Sequence, residues 1–388
     1  MNKAVNILRA LLISVAVILP CLSKAQPGIS YPQVSIMTVD PGAVFYELEG
    51  HTGLRLKTAE YDIVANWGVF DFDAPNFVYR FVSGETDYIC VAEPTGNFVS
   101  RYERYNPGRG ISEQIIPLDS ASAVALAMNV DNHLRPENRT YRYNYVKDNC
   151  ALRPLELLEK AAGRELTVDS IPEPFGNGAS YRDVMGYYHR NYPWYQFGID
   201  LALGSGIDYP LEAREFAFAP VLMQKMLPYP AETVVPSIEG GVTEGPTPLW
   251  LGPGFIMWAA AILTILSVVL FKNLGAAIKI IYTTWFSLLA LGGCIIFFLV
   301  FISTHEATSP NYNLLWFNPL CIIGAISPWI KKPKIVGICY HFTNFAAVLA
   351  YAIIWSCGIQ HGNPAFIPLL FADAFLSVYY LMSPSKAE

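Results

Sequence analysis

The sequence is poor in charged residues. Asp, Glu, Lys and Arg together make up only 15% of its 388 residues, and the mean hydropathy is +0.32. So apolar a composition excludes a purely soluble protein, and the length excludes a single ordinary domain. The formal net charge of -6 includes no basic block or stripe, so nucleic acid is not an expected partner. The composition therefore indicates a membrane protein with more than one domain.

Cysteines and ligand-binding motifs are also few. Of seven cysteines, only Cys90 and Cys150 lie outside the N-terminal and C-terminal apolar segments. The chain has no CxxC pair, no other metal-ligand spacing and no phosphate-binding loop, so we expect neither a metal nor a cofactor. Two cysteines in an oxidising compartment can form a disulfide, which leaves open a membrane-anchored binding or scaffold protein with a Cys90–Cys150 disulfide. Cys90 lies in a strand-like stretch, where a small core residue is the simpler interpretation.

The N-terminus has the pattern of a secretory signal. Lys3 and Arg9 flank the start of an apolar segment, and Ser23-Lys24-Ala25 forms a small-residue cleavage site before Gln26. We therefore predict a signal peptide over residues 1–25, and a mature chain that begins outside the cytoplasm.

Five apolar runs occupy the chain after Gly254. Each is close to the roughly 17–25 residues that a spanning helix needs, and they cover 254–271, 280–302, 314–330, 335–356 and 365–382. Lysines follow the first and third runs, whereas the loops after the second and fourth have no Lys or Arg. By the positive-inside rule the lysine-bearing loops are cytoplasmic, so residues 26–246 are expected on the opposite side of the membrane. Asp373 in the fifth run should be paired or hydrated, because an ionisable group is costly in lipid.

Residues 33–165 have the pattern of a mixed α and β domain. Short runs rich in β-branched and aromatic residues predict the strands Val34–Val39, Val44–Leu48, Gly53–Leu56 and Tyr61–Asn66, the last two joined by a turn at Thr58–Glu60. Helices are predicted at Ser120–Leu134 and from about Cys150 to Ala162. Residues 166–246 form an aromatic-rich extension and a linker with Pro and Gly.

A histidine and a cysteine in this domain are candidates for nucleophilic catalysis. His51 lies at the start of a predicted strand, and Cys150 lies at the predicted first turn of a helix, where unpaired backbone N–H groups favour a thiolate. The two could form a thiol and base pair if the fold brings them together. Across the predicted hairpin, Asn66 lies near His51 and could orient the imidazole, although a strand-end turn asparagine is an equally good interpretation.

A strand histidine followed by a helix-opening Asn-Cys resembles the permuted papain-like folds related to NlpC/P60 proteins and lecithin:retinol acyltransferase. Nearly the whole mature chain is similar to the Lnb-type lipoprotein N-acyltransferases of bacterial envelopes. The resemblance rests on Gly50–Arg55, Asn66–Phe72, Pro136–Tyr141, Asp148–Cys150 and Pro310–Pro319. It implies an α+β permuted papain-like (NlpC/P60-like) periplasmic domain over residues 26–165, followed after residue 246 by an all-α transmembrane bundle of about five helices in the inner membrane.

The same resemblance implies an activity and its partners. The expected reaction moves an acyl chain from a phospholipid through a thioester on Cys150 to the α-amino group of a diacylglyceryl-modified lipoprotein, with His51 as base and Asn66 as third member of the catalytic group. Candidate substrate-binding residues are Arg55, Trp67, Tyr143, Asn149, His305 and Asn313. An envelope cysteine peptidase or amidase remains the leading alternative, because the same nucleophile and base serve hydrolysis. The other histidines of the domain, His133 and His189, are expected at the surface.

Overall fold

A seven-stranded antiparallel sheet is the centre of the N-terminal half. The structure is a computed structural model and describes residues 31–239, 241–330 and 334–382, so the predicted signal peptide and Lys331 and Lys332 lie outside the described residues. The strand order is β6-β4-β3-β2-β1-β5-β7. The strands are β1 Gln33–Val39, β2 His51–Lys57, β3 Asp62–Val69, β4 Asp87–Pro94, β5 Ile111–Ile115, β6 Thr140–Arg142 and β7 Ala231–Val235.

The predicted hairpin is confirmed. A tight turn over residues 58–61 joins β2 to β3, and the Thr58 backbone N–H donates to the Tyr61 carbonyl over 2.8 Å. From this turn the antiparallel register runs outward to the pair Gly53 and Asn66, where it ends. His51 lies two residues further along β2, so the hairpin places it beside Asn66, as alternation along paired strands requires.

The predicted strand at Val44–Leu48 is wrong. Residues Phe45–Glu47 form a short 3-10 turn, in which the Glu47 N–H donates to the Val44 carbonyl over 2.8 Å. Aromatic and β-branched residues favour a strand only where a neighbouring strand offers partners, and here the local turn satisfies the backbone instead. The side chains of Val44, Phe45 and Tyr46 are exposed.

Seven helices are described in the N-terminal half, and they cover both faces of the sheet. They are α1 Phe77–Ser83, α2 Thr95–Tyr105, α3 Ser120–Leu134, α4 Leu152–Ala162, α5 Tyr181–Tyr188, α6 Pro193–Ala202 and α7 Pro220–Met226. The predicted bounds of α3 are confirmed, and Asp119 caps it by accepting from the Ser122 N–H over 2.8 Å. Helices α3 and α4 pack with Trp67 into the main core, whereas Phe98 and Tyr102 of α2 cover the other face.

The segment after residue 165 packs into the same core. Phe216, Phe218, Leu222 and Met223 are fully buried against the sheet and its helices. Strand β7 extends the sheet by pairing with β5. Residues 166–235 therefore complete the hydrophobic core around the candidate site.

The C-terminal half is helical and apolar. Among the described residues, three helices are long and apolar enough to cross a membrane, and a fourth apolar helix has 17 residues. The helices are α8 Pro253–Leu270, α9 Gly275–Phe301, α10 Cys321–Ile326, α11 Ile335–Ser356 and α12 Phe366–Met382. The buried side chain of Asp373 on α12 accepts a hydrogen bond of 3.0 Å from Asn344 on α11. Asp373 thus has the polar partner that an ionisable group needs inside an apolar helix bundle.

The third predicted run, 314–330, is not one continuous helix. It contains the six residues of α10 between short 3-10 turns at Tyr312–Leu315 and Ser327–Trp329. Pro319 and Pro328 interrupt the run, because proline lacks the backbone N–H that a helix interior needs. Asn318 supports the break, since its side chain accepts from the Leu320 N–H over 2.9 Å.

Asparagine side chains join the two halves at the C-terminal end of α6. The Asn313 amide donates to the Asp200 carbonyl over 3.1 Å, and the Asn311 amide donates to two further carbonyls of α6 over 3.0 and 3.1 Å. The Asn363 amide donates to the Asp200 carboxylate over 2.8 Å. Carbonyls at a helix end have no partner inside the helix, and here the C-terminal half supplies the partners.

Candidate active site

His51 begins strand β2 directly after a glycine that the backbone requires. Gly50 has φ of +88°, and a Cβ at this position would lie 2.5 Å from the Val39 carbonyl oxygen. Only glycine adopts this conformation in so narrow a space. The turn presents the imidazole to the neighbouring strand, where His51 Nε2 lies 3.2 Å from Asn66 Oδ1.

The contacts of Asn66 decide which nitrogen of His51 carries hydrogen. The Asn66 amide nitrogen lies 3.4 Å from a carboxylate oxygen of Glu93, and Arg101 holds that carboxylate over 2.6 Å. The amide nitrogen must donate to Glu93, so Asn66 Oδ1 faces the imidazole and accepts from Nε2. His51 Nδ1 is therefore left unprotonated and can act as a base.

Cys150 lies in the turn before α4. The sequence predicted a helix that begins at about Cys150, but the helix begins at Leu152. Asn149 is buried and closes this turn, since its side-chain oxygen accepts from the N–H groups of Ala151 and Leu152 over 2.9 and 3.0 Å. Its amide donates to the Phe218 carbonyl over 2.8 Å. Asn149 thus fixes the turn that carries the sulfur, and its polar atoms are engaged by the backbone rather than free for a substrate.

The sulfur of Cys150 faces the start of β2. Its contacts are the Thr52 backbone N–H and the Tyr143 hydroxyl, whose oxygen lies 3.9 Å away. Thr52 directly follows His51, so the fold brings the thiol and the imidazole to the same end of one strand. Within the described part of the chain, no hydrogen bond joins the two side chains; contacts of this kind are often long in a free site and tighten when substrate binds.

A bulge in β3 makes room for the sulfur. The β3–β4 register shifts between Asn66 and Val69, and Gly68 in the bulge has φ of +93°. A Cβ on Gly68 would lie 3.7 Å from the Cys150 Cβ and 3.2 Å from the Tyr143 ring. Bulges of this kind commonly re-aim side chains next to active sites.

Burial controls the protonation of both groups. It lowers the pKa of His51 to about 4, so the imidazole is neutral at neutral pH. Burial also raises the pKa of Cys150, and the hydrogen bonds from Tyr143 and the Thr52 backbone oppose this rise only in part. The predicted lowering of the thiol pKa by a helix N-terminus is wrong, because burial outweighs the lowering that the backbone N–H groups of Thr52 and Cys150 provide. The resting site holds a neutral base and a protonated thiol.

A buried pair behind the site was not predicted. Glu49 precedes Gly50, and its carboxylate lies 2.9 Å from His189 Nε2 and accepts from the Tyr145 hydroxyl. His189 was expected at the surface, but its side chain has no exposed area. The proximity of Glu49 adds to the rise in the pKa of Cys150. The only sequence feature that could have pointed to Glu49 was its position two residues before His51.

Two candidate substrate-binding residues have structural partners. Arg55 forms ion pairs with Asp62 over 2.6 Å and with Glu113 over 2.8 Å. Trp67 has no exposed area, and its indole N–H lies 3.4 Å from Nδ1 of the partly exposed His133. Both side chains stabilise the sheet and its core, and neither presents a polar group to the sulfur.

Of the remaining candidate substrate-binding residues, Asn313 and His305 also have structural partners, whereas Tyr143 contacts the sulfur. Asn313 is fully buried and binds the end of α6, and partly exposed His305 has its Nε2 2.9 Å from the Phe81 carbonyl. Tyr143 is the candidate that contacts Cys150. The structure therefore gathers His51, Asn66, Tyr143 and Cys150 at one place.

The structure does not support the disulfide. Cys90 and Cys150 are both free, and Cys90 is a buried core residue of β4 whose pKa burial raises to about 12. Across residues 31–239, 241–330 and 334–382, no group of three or more His, Cys, Asp or Glu side chains could hold a metal ion.

Comparison with known families agrees with the architecture. Residues 25–185 match the model of the Lnb N-terminal periplasmic domain, and residues 246–386 match the model of the Lnb transmembrane domain. No curated protein and no solved structure matches the chain. The two matches together span most of the sequence and follow each other in the order that the resemblance implied. The chain therefore belongs to the Lnb family, with a periplasmic domain followed by a transmembrane region.

Proposed function

We propose that this protein is a lipoprotein N-acyltransferase of the inner membrane. It takes a fatty acyl chain from a phospholipid, holds it as a thioester on Cys150, and transfers it to the α-amino group of the diacylglyceryl-modified N-terminal cysteine of a lipoprotein. The observation that carries the proposal is the placement of a buried thiol beside His51 and Asn66, in a chain with both Lnb domains. The fold assigned to the catalytic domain is the permuted papain-like one, in which the histidine precedes the cysteine.

The first half of the reaction forms the thioester. His51 Nδ1 accepts the thiol proton as the sulfur attacks the ester carbonyl, so a reactive thiolate is produced only when the substrate is in place. The backbone N–H groups of Cys150 and Thr52 and the Tyr143 hydroxyl surround the sulfur and can donate to the oxyanion that develops beside it. Collapse expels the alcohol of the lysophospholipid, which takes the proton from the imidazolium.

The second half transfers the acyl group. The lipoprotein α-amine attacks the thioester carbonyl, and His51 Nδ1 accepts a proton from the amine. The intermediate then collapses to the amide and expels the Cys150 sulfur, which takes that proton from the imidazolium and becomes a thiol again. Water competes with the amine for the thioester, so the site must exclude it. Cys150 is only 8% exposed, which limits the access of water. Both substrates are anchored in the bilayer, and this places each reacting group near the membrane-linked site.

Trapping the acyl-enzyme tests this proposal. Full-length protein in proteoliposomes that contain phospholipid but no lipoprotein should gain the mass of one acyl chain on Cys150, and hydroxylamine should remove it. Adding a diacylglyceryl lipopeptide should discharge the acyl chain and yield an N-acylated lipopeptide. Cys150→Ala should give neither product, whereas Cys90→Ala is the matched control and should give both.

A peptidase or amidase would give a different set of products. It would cleave peptide substrates through the same thiol, leave the lipopeptide amine unmodified and acquire no acyl mass from phospholipid. Peptide cleavage by full-length protein, without N-acylated lipopeptide, would replace the acyltransferase proposal with the hydrolytic one.

A further inference from the structure

A row of aromatic side chains runs across the surface beside the candidate active site. We define the aromatic strip as Phe70, Phe72, Phe77, Phe81 and Tyr88. Ring centroids are 5.7 Å apart for Phe77 and Phe81, 5.8 Å for Phe70 and Phe77, and 5.1 Å for Phe70 and Tyr88. Phe72 contacts both Phe70 and Phe77, with centroids 4.6 and 5.2 Å apart. The five rings therefore form one continuous apolar surface.

One end of the aromatic strip reaches the sulfur. Tyr88 stacks on Tyr143 with ring centroids 4.6 Å apart, and the Tyr143 hydroxyl oxygen lies 3.9 Å from Cys150 Sγ. The last ring of the strip is thus one side chain away from the candidate nucleophile.

The other end reaches the transmembrane region. Helix α1 carries Phe77 and Phe81, and its Tyr79 ring contacts Phe298 of α9 with centroids 6.1 Å apart. The Thr304 backbone N–H donates to the Ser83 carbonyl over 2.9 Å, just beyond the end of α9. These contacts hold α1 against the end of a membrane-spanning helix.

The aromatic strip is partly open to an occupant, because Phe72 and Phe81 are exposed and Phe70, Phe77 and Tyr88 are half-buried. The side chain of Phe72 is 54% exposed and that of Phe81 is 37% exposed, although both rings belong to a contiguous apolar surface. Contiguous exposed apolar surfaces of this kind commonly mark binding sites. The strip runs from the helix that contacts the transmembrane region to the ring beside Tyr143, so a membrane lipid is the occupant that its position favours.

We propose that the aromatic strip binds the fatty acyl chain of the donor glycerolipid as its ester group leaves the bilayer and approaches Cys150. The inference rests on the proposed function for the identity of the reacting ester. Binding of the chain itself requires only the apolar surface, so it can be measured in a protein that cannot react.

Photocrosslinking tests the binding without catalysis. Full-length Cys150→Ala protein is reconstituted in phosphatidylethanolamine vesicles that contain a phospholipid with a diazirine on one acyl chain, then irradiated, digested and analysed by mass spectrometry. Crosslinks within residues 70–81 are the expected result. Crosslinks confined to the helices after residue 253 would overturn the proposal. Because the variant lacks the thiol, this result is independent of whether the protein transfers acyl groups.

Kinetics in the reactive protein provide the second measurement. Phe72→Ser should lower the rate of acylation of Cys150 about tenfold at limiting donor lipid, with a smaller effect at saturating donor, since it removes apolar contact with the chain. The matched control is Tyr105→Ser, which changes an aromatic residue that is 78% exposed on α2, outside the aromatic strip. Equal losses in the two variants, or no loss in Phe72→Ser, would overturn the proposal.

Discussion

Replacing Asn66 by alanine removes the oriented acceptor for His51 Nε2 and tests the proposed geometry directly. In the resting site the hydrogen bond joins two neutral groups over 3.2 Å, and such a bond contributes about 0.5–1.5 kcal/mol. When His51 takes the thiol proton, the same bond gains a charged donor and contributes about 1.5–3 kcal/mol. The transition state therefore loses about 1–1.5 kcal/mol more than the resting state, or roughly tenfold in rate.

Loss of the bond also frees the imidazole to rotate and to change tautomer, and this lowers the rate further. We expect Asn66→Ala to lower kcat/KM for N-acylation about 10- to 100-fold. The hydrogen bond that His51 donates to Asn66 raises the pKa of His51, so the variant should also shift the acid limb of the pH–rate profile to lower pH. A substitution that merely loosened the fold would not move that limb in this direction.

The assay is the rate of appearance of N-acylated lipopeptide in proteoliposomes, measured by mass spectrometry across the pH range. The matched control is Asn138→Ala, which breaks an exposed asparagine–asparagine hydrogen bond of 2.9 Å and should leave both rate and pH profile unchanged. A rate for Asn66→Ala within about twofold of the unsubstituted protein would refute the role of Asn66. An unshifted acid limb would refute the assigned contact with His51.

Three further predictions concern the same chain. Cys150→Ala and His51→Ala should each abolish N-acylation with the protein still in the membrane, whereas Cys90→Ala should keep it; product formation by either of the first two would contradict the thioester mechanism. Because burial raises the pKa of Cys150 and lowers that of His51 to about 4, maleimide labelling of Cys150 should accelerate from about pH 6 to pH 9, and a plateau across that range would indicate a preformed thiolate. A reporter inserted near Ala307 should indicate the periplasm and one fused after Lys332 the cytoplasm, and the reverse pair of signals would contradict the assigned topology.

Local signals in the sequence were sufficient for the elements that present the histidine. The turn between β2 and β3 and the Asp119 cap of α3 depend on residues within a few positions, so both could be predicted. The proximity of His51 to Asn66 followed from the pairing of adjacent strands. The strand prediction for Val44–Leu48 was wrong because the composition of this segment suits a strand, but no neighbouring strand pairs with it.

Long-range contacts explain the residues that the sequence did not reveal. Glu49 and His189 are separated by 140 positions, and a single sequence contains no signal that pairs them. The thiol pKa was predicted in the wrong direction because burial of Cys150 outweighs the effect of the nearby backbone N–H groups, and that burial depends on packing from distant segments. Arg55 similarly binds Glu113, which belongs to a distant strand.

The asparagine contacts at the end of α6 have a consequence for the order in which the protein is assembled. The carbonyls of α6 emerge from the ribosome more than 100 residues before Asn311 and Asn313, which satisfy them. The end of α6 therefore stays without these partners until the later loop has been synthesised and has packed against it. Nascent chains arrested shortly before residue 311 should be cut readily by protease near α6, and chains arrested well beyond it should resist. The end of α6 would thus report whether the C-terminal half has packed against the periplasmic domain.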